Sequence, residues 1–263
     1  MSTVIFFILL WLLLYTFLAV AVSGEPLWLE KTSGKMIGQT GRSPCHPCEA
    51  FHDLNTQIRD GRIDKTEATV RFRAVMAELQ AYAGKAGMLD KTPGPCIFPL
   101  SGYSLSAIGG KRGSGYVAAG YDYFDGNAHG GHPAHDIFIR DKDQDSLDDV
   151  TAKAVSVVAT EEGLVVSVEN AWARNSLLRG GRYLWIFNPR HNSLTYYAHN
   201  ETLLVRIGDW VKPGEPVATV GRTGYNACQK RSPTHLHLMH LKIENGLPQP
   251  ENRFVELSTC IAQ

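Results

Sequence analysis

The segment THLHLMH, residues 234–240, places three histidines on one predicted β-strand. Because alternate side chains of a strand share a face, His235 and His237 point the same way and Leu236 points the opposite way. Two imidazoles on one face suit a metal ion, since each can offer a neutral nitrogen as a ligand. An isolated H-x-H is more often a histidine-rich edge strand, so a metal site requires partners from elsewhere in the chain.

Candidate partners occur in two other stretches, HGGHPAHDIFIRD at residues 129–141 and TYYAHN at residues 195–200. The first stretch, flanked by glycines that allow tight turns, holds four potential ligands within eight positions: His129, His132, His135 and Asp136. The second places His199 at the end of a predicted strand. Each of these side chains alone is more often solvated or hydrogen-bonded than a ligand. Their combination with H-x-H indicates a metal site.

The elements that must position these residues are short strands. Four segments rich in β-branched and aromatic residues are bounded by Gly, Pro and Asn, and they are residues 163–168, 183–187, 194–198 and 217–220. NPRHNS between two of them predicts a hairpin loop, and RIGDWVKPGEPVATVG at 206–221 predicts a compact β-turn unit. The chain beyond residue 95 is therefore predicted to be a mainly β, antiparallel domain.

Residues 49–87 have a helical pattern. In the longer predicted helix, apolar residues recur at three- and four-residue steps: Ala68, Phe72, Val75, Leu79 and Tyr82. Asp64 followed by Glu67 resembles a capping box at the start of that helix. A shorter preceding helix carries three apolar residues on one side: Phe51, Leu54 and Ile58. Two amphipathic helices need a surface to cover, so we expect a helical hairpin packed on the β domain.

The segment VIFFILLWLLLYTFLAVAV, residues 4–22, is almost continuously apolar. It is long enough to span a bilayer and long enough for a signal-peptide core, and the sequence leaves both open. Either one predicts export to the periplasm or cell envelope, with residues 4–22 as the membrane contact or inner-membrane anchor. The predicted regions are 1–24 as signal or anchor, 25–95 as the helical region and 96–263 as the β domain.

Charge and cysteine content narrow the class of protein further. Lysine plus arginine equals aspartate plus glutamate, at 26 residues each, which argues against nucleic acid and against an anionic membrane surface as main partner. Five cysteines fit an exported protein with one or two disulfides and one thiol left over. Cys45 and Cys48 have C-x-x-C spacing. A local or domain-linking disulfide is favoured over a redox or zinc motif, because no βαβ context and no second C-x-x-C accompany it.

Several motifs follow one another in a fixed order along the chain: His132-x-x-x-Asp136, Tyr197-Ala198-His199, Gly208-Asp209-x-Val211-x-x-Gly214, Gly221-x-Thr223-Gly224 and His235-Leu236-His237. This set resembles the lysostaphin/LytM-type zinc metallopeptidases, which cleave peptide cross-links of bacterial cell walls. The resemblance covers roughly residues 98–241. It implies an antiparallel β-sheet or sandwich of the duplicated-hybrid-motif type and a peptidoglycan stem or cross-bridge peptide as substrate.

The resemblance also implies residue roles. His132, Asp136 and His237 would bind one Zn²⁺ per chain, and the vacant fourth position of such a site holds water, as in catalytic zinc sites. Zinc lowers the pKa of that water to about 7, which matches a histidine base with a pKa near 6.5. His235 would be this base, and His199 would be a second catalytic imidazole that donates a hydrogen bond to the oxyanion.

The loop before the first ligand pair departs from the family pattern. Ala134 stands where the family usually has glycine, and His135 is an additional histidine. This departure leaves His129 and His135 as alternative ligands.

Two other functions compete with the peptidase. A non-catalytic relative would bind cell-wall material or activate another hydrolase, but such relatives typically lose metal ligands, and here every ligand position is filled. A cupin-like metal oxygenase also uses H-x-H, but early in its domain and with a glutamate a few residues on. Here H-x-H comes near the end of the chain, and Glu244 follows seven residues after His237.

A second cation site is conceivable at DKDQDSLDD, residues 141–149. Asp141, Asp143 and Asp145 alternate like the first half of a Ca²⁺-binding loop. The loop lacks the glycine expected at Ser146 and the glutamate expected at Ala152. A solvated acidic turn is therefore favoured over calcium.

Overall fold

A computed structural model describes residues 44–89 and 92–263 of the chain. The apolar segment 4–22 lies outside the described residues, and so does the predicted signal or anchor. Among the described residues, none of the helices combines the length and the apolar character that crossing a bilayer requires. These described residues form one compact unit. The boundary between residues 95 and 96 stays a prediction.

The described residues form eleven strands and three α-helices. The strands are β1 (Ala134–Phe138), β2 (Leu147–Asp148), β3 (Lys153–Ala154), β4 (Ser156–Val158), β5 (Gly163–Glu169), β6 (Arg182–Asn188), β7 (Ser193–Leu203), β8 (Trp210–Val211), β9 (Pro216–Val220), β10 (His235–Glu244) and β11 (Leu247–Pro250). The helices are α1 (His46–Arg59), α2 (Lys65–Lys85) and α3 (Phe254–Leu257), and short 3₁₀ turns occur at Leu105–Ala107, Lys111–Gly113 and Tyr123–Ala128.

Nine of these strands form one antiparallel sheet in which β1, β10, β7, β6, β5 and β8 are successive neighbours. Strand β11 pairs with β10, β9 pairs with β7 and β4, and β2 with β3 forms a separate two-stranded sheet. The predicted mainly β, antiparallel fold with a small N-terminal helical region is therefore confirmed. All four predicted strands are present as β5, β6, β7 and β9, each longer than predicted.

The predicted hairpin loop between β6 and β7 is present and is held by one side chain. The carboxamide oxygen of Asn188 accepts hydrogen bonds from the backbone N–H groups of Arg190 and His191, at 3.0 and 3.2 Å. Asn192 adopts a left-handed φ of 49°, which asparagine tolerates better than most residues. These local bonds reverse the chain and set the register of β7, the strand that leads to His199.

The helical hairpin has the predicted start and a shifted buried stripe. Asp64 caps α2 by accepting the backbone N–H groups of Thr66 and Glu67. The buried residues of α2 are Ala68, Phe72, Met76, Leu79 and Ala83. Val75 and Tyr82, which we predicted in this stripe, are only partly buried. The two stripes share Ala68, Phe72 and Leu79 and differ by one residue at two positions, where Met76 and Ala83 are buried in place of Val75 and Tyr82.

The hairpin covers one face of the sheet and shares its hydrophobic core. Phe51 and Leu54 of α1 belong to the same buried cluster as Phe72 of α2 and Trp185 and Met239 of the sheet. A second cluster fills the opposite face, with Ile137, Leu184, Leu236 and Leu238 among its members. Burying a large apolar side chain contributes about 1.5–3 kcal/mol. The hairpin is therefore an integral part of the fold.

Two disulfides are present, in agreement with the cysteine count. Cys45 is joined to Cys48 at the start of α1, which confirms the local pairing, and Cys96 is joined to Cys260. The second bond links the entry of the β domain to the segment after α3. The Cys228 thiol is free.

Candidate metal centre

Strand pairing brings the first two predicted ligands together. In the antiparallel pair of β1 and β10, Asp136 lies directly opposite His237. Directly opposite residues project to the same face of a sheet, so the carboxylate and the imidazole meet above it. His132 precedes β1, where its backbone forms an isolated bridge with Val117. Ala198 of β7 lies opposite His237 from the other side, which places His199 at the next position.

Three donor atoms converge at this point. Oδ1 of Asp136 lies 3.3 Å from Nε2 of His132 and 3.1 Å from Nδ1 of His237. The ligand atoms of all three residues lie within 4.8 Å of one another. Two ligands at about 2.0–2.2 Å from a tetrahedral zinc ion are roughly 3.4 Å apart. The donor set and its spacing therefore fit one zinc ion.

Backbone carbonyls fix the tautomers of three histidines around the centre. The Nδ1 atom of His132 lies 3.0 Å from the carbonyl oxygen of Gly115, and that of His235 lies 2.7 Å from the carbonyl oxygen of Pro233. The Nδ1 atom of His199 is 2.8 Å from the carbonyl oxygen of Thr223. A carbonyl oxygen only accepts, so each Nδ1 carries the proton and each neutral ring has its lone pair on Nε2.

The two predicted catalytic imidazoles lie next to the ligands. Nε2 of His235 is 3.7 Å from Oδ1 of Asp136, and the ring of His199 is 4.9 Å from that of His235. His199 has a left-handed φ of 66°. Gly224 passes so close that a Cβ there would lie 2.8 Å from Nδ1 of His199 and would overlap the carbonyl oxygen of Arg179. The Gly-x-Thr-Gly motif therefore positions His199, through both the Thr223 carbonyl and the missing side chain of Gly224.

Charge and burial shift the protonation equilibria of the site. Burial works to raise the pKa of Asp136, but hydrogen bonds from His132 and His237 outweigh it and hold that pKa well below its usual range. The hydrogen bond with Asp136 raises the pKa of His132. Burial lowers the pKa of His237 and, more strongly, that of His199. Asp136 is thus ionised and His199 and His237 are neutral near pH 7, while a proton competes with metal at His132.

The three predicted ligands, His235 and His199 line one cleft of about 240 Å³, which is called the metal cleft below. The cleft also contains two residues that the sequence analysis missed, Arg179 and Tyr196. The ring of Tyr196 is 6.1 Å from that of His237. The one signal in the sequence was the Arg179-Gly180-Gly181 turn before β6, since paired glycines often mark a close backbone approach.

Comparison with known proteins agrees with this geometry. The sequence profile of peptidase family M23 matches residues 144–249. The murein hydrolase activator NlpD of Salmonella dublin is 40% identical over 83 residues, which are 32% of this chain and 20% of that protein. The lipoprotein NlpD of Yersinia enterocolitica is 37% identical over 73 residues, which are 28% of this chain and 69% of that protein. This chain belongs to peptidase family M23.

The match to the M23 profile covers only part of the candidate site. It contains His199, His235 and His237, whereas His132 and Asp136 precede it, so those two are placed by the strand geometry alone. The chain spans about a fifth of the length of the Salmonella relative. The solved structure of the antimicrobial peptidase lysostaphin from Staphylococcus simulans is 21% identical and covers 62% of this chain and 56% of that chain. Its TM-score of 0.38 is too low to support an argument about function.

The two residues predicted as alternative metal ligands, His129 and His135, lie in different places. His135 is wrong as an alternative, because it points to the opposite face of β1 from Asp136 and its Nε2 is 3.1 Å from Oδ1 of Asn252. His129 lines the metal cleft, but it is not a member of the ligand cluster found among the described residues. Its Nδ1 bonds to the carbonyl oxygen of Gly130 at 2.9 Å.

The acidic loop brings together a different set of aspartates from the predicted one. Carboxylate oxygens of Asp141, Asp143 and Asp149 lie within 4.8 Å of one another, and Asp145 is not in the group. Asp141 accepts the backbone N–H groups of Asp145 and Ser146, at 3.1 and 2.9 Å. The carboxylate of Asp141 thus fixes the turn and is itself buried, whereas Asp143 and Asp149 are exposed. Calcium at Asp141, Asp143 and Asp145 stays a prediction.

Proposed function

We propose that this protein is an exported zinc metalloendopeptidase that hydrolyses peptide bonds in stem or cross-bridge peptides of peptidoglycan. One observation carries the proposal: His132, Asp136 and His237 present three ligand atoms within 4.8 Å of one another at an open cleft. His235 and His199 stand beside these ligands, and the Nδ1 atom of each ring bonds to a backbone carbonyl oxygen. A periplasmic or cell-envelope location agrees with the apolar segment 4–22 and with the name of the Yersinia relative, a lipoprotein.

The chain's own residues divide the chemistry between them. Zinc held by the three ligands would supply Lewis acidity and lower the pKa of water to about 7. Nε2 of His235 accepts the proton of the attacking water and can return it to the leaving amine. The ionised Asp136 reduces the positive charge of the site. The Thr223 carbonyl holds the proton of His199 on Nδ1, so His199 has to gain a second proton before it can donate to an oxyanion.

A second candidate is a non-catalytic activator of another murein hydrolase. The curated relatives favour it, since both the Salmonella dublin and the Escherichia coli matches are named murein hydrolase activators. On sequence similarity this candidate has the better support. It does not account for a complete ligand set with two adjacent imidazoles, because binding or activating a partner requires none of these groups.

Digestion of purified sacculi separates the two candidates. We expect the zinc-loaded protein alone to release peptide fragments that mass spectrometry identifies, and His235→Ala to release them at least about 100-fold more slowly. A chelator should stop the release and added zinc should restore it. The activator is correct and the peptidase is not if the protein alone releases nothing, while the wild type and the His235→Ala variant accelerate a separately supplied murein hydrolase equally well.

A further inference from the structure

Arg179 lies where the metal cleft meets a second cavity. The second cavity, about 80 Å³ in volume, lies against helix α1, and both cavities are lined by Arg179, Gly180, His129 and Tyr196. Asn55, Ile58 and Arg59 of α1 contribute to its wall. A substrate that occupies the metal cleft can therefore extend past Arg179 into a space that the helical hairpin helps to form.

One edge of the Arg179 guanidinium is used and the other is free. Nη1 donates to the carbonyl oxygens of His129 and Asn127, at 2.7 and 3.3 Å. The backbone N–H of Arg179 donates to Oδ1 of Asn127 at 3.0 Å, which ties the two loops together. Within residues 44–89 and 92–263, Nε and Nη2 of Arg179 have no hydrogen-bond partner. The Nε–Nη2 edge is a fork that matches the two oxygens of a carboxylate.

The charge of Arg179 also lacks compensation in the described part of the chain. Arg59, Arg182 and Arg253 each form an ion pair, with Glu169, Glu201 and Glu161 respectively. No described carboxylate lies within 4.0 Å of the Arg179 guanidinium, which bonds only to neutral carbonyl oxygens. A half-buried cation without a counter-ion at the mouth of a cleft favours an anionic ligand.

Aromatic side chains form a large part of the wall of the second cavity. Its aromatic residues are Tyr121, Tyr123, Tyr183, Trp185 and Tyr196. The rings of Trp185 and Tyr196 are 4.5 Å apart. A Cβ on Gly180 would overlap the Tyr196 hydroxyl, so glycine is required for the ring to stand where it separates the two cavities. Such walls suit an aliphatic group, since the charge of Arg59 in the wall is already paired with Glu169.

We propose that Arg179 binds a carboxylate of the peptide next to the cleaved bond, while the aliphatic part of the same residue lies in the aromatic cavity. The substrate class is thus a peptide with a free carboxylate beside the scissile amide. The inference rests on the proposed function for the scissile bond, but the carboxylate binding itself requires no turnover. Arg179 acts as a specificity-determining residue.

Paired probes test this inference. The probes are disaccharide peptides released from purified sacculi by a muramidase, used as isolated and after conversion of their carboxylates to amides. We expect the zinc-loaded full chain to bind the carboxylate form about 10- to 100-fold more tightly than the amide form, as a charge-assisted bidentate contact implies. Arg179→Gln should remove this preference and leave binding of the amide form unchanged. Arg179→Lys should retain part of it.

Arg174→Gln is the matched control, because Arg174 is exposed in the same loop and the substitution removes the same charge. It should retain the preference. Equal affinity of the wild-type protein for the two probes overturns the inference, and so does an equal loss for both probes in Arg179→Gln. Zinc content and melting temperature of each variant show whether its fold is damaged. If Arg179→Gln is damaged, Arg179→Lys and the comparison of the two probes on the wild type test the inference instead. Carboxylate-selective binding without any cleavage would leave the inference standing and refute the peptidase.

Discussion

Strands β1 and β10 carry histidines on both faces, and the two faces differ in what those histidines meet. On the first, His237 lies opposite Asp136 at an open cleft of about 240 Å³. On the second, His240 and His135 are 7% and 4% exposed and lie at a cavity of about 20 Å³. There Nδ1 of His240 is 3.1 Å from the hydroxyl oxygen of Thr195.

The difference indicates what makes a pair of histidines suitable for binding a metal ion. Behind the sheet, side chains contact the Nε2 atoms: Asn252 bonds to His135, whose buried Nδ1 has no partner among the described residues, and Arg253 and Glu251 contact His240. In front of it, backbone carbonyls bond only to the Nδ1 atoms of His132, His199 and His235, and the Nε2 lone pairs remain available. A carboxylate opposite a histidine, together with free lone pairs at an open cleft, makes the site. Histidine content alone does not.

The largest expected difference between the faces concerns metal. We expect His237→Ala to lose stoichiometric zinc and all cleavage of sacculi, because only two of the three ligands remain. His240→Ala, on the same strand and the opposite face, should still bind about one zinc per chain. Metal analysis after dialysis measures both. Equal zinc content in the two variants would remove the distinction between the faces.

Turnover separates the residues within the front face. His235→Ala should retain zinc and lose about 10²- to 10⁴-fold in kcat, because a general base is missing while the ligands remain. Steady-state cleavage of released cell-wall peptides, with zinc content measured in parallel, tests this. A fall in zinc equal to that of His237→Ala would identify His235 as a ligand instead.

The back face should govern stability. His240→Ala removes a buried ring and leaves the Thr195 hydroxyl without this partner, at a cost of about 1–3 kcal/mol in the free energy of unfolding. His237→Ala, measured without metal, should cost less because its ring borders an open cleft. Denaturant unfolding of the metal-free variants provides the comparison. A larger loss of unfolding free energy in His237→Ala than in His240→Ala would contradict a structural role for the back face.

Acidification should affect the front face first. Asp136 raises the pKa of His132 above 6.5, so a proton competes with zinc, and the affinity should already fall as the pH approaches 6.5 from above, by up to about tenfold per pH unit. Burial lowers the pKa of His240 to about 3. The unfolded chain then binds a proton near pH 6.5 that the folded chain refuses, so stability is lost only as the pH falls below 6.5 towards 3.

Zinc titrations and metal-free unfolding between pH 8 and pH 4 would measure the two effects. His240→Gln should reduce the pH dependence of unfolding, to which the lowered pKa values of His199 and His237 also contribute, and should leave that of zinc binding unchanged. If zinc is lost only at a lower pH than stability is lost, then the proton does not compete with zinc at His132.

Much of the front face was predictable, because it follows from local rules. Strand alternation placed His235 and His237 together, whereas His132, Asp136 and His199 were implied by the resemblance to the lysostaphin/LytM-type peptidases. The same alternation excludes His135 as a metal ligand once β1 is known to begin at Ala134. No turn signal in the sequence fixed that starting point.

Other features depend on contacts between distant segments. Arg179 reaches the cleft because Asn127, some fifty residues earlier, holds its loop, and no local pattern encodes that bond. The burial of Met76 and Ala83 in place of Val75 and Tyr82 likewise depends on how α2 packs on its neighbours, since the apolar spacing in the sequence allows both sets. The acidic cluster uses Asp149 because the chain folds back after Ser146, whereas the linear spacing favoured Asp145.

Anomalous diffraction from crystals of the zinc-loaded protein tests the central claim most directly. We expect one zinc peak bonded to Nε2 of His132, a carboxylate oxygen of Asp136 and Nδ1 of His237, at about 2.0–2.2 Å, with no fourth protein ligand. A peak at His129, or a site closed by a further side chain, would contradict the account.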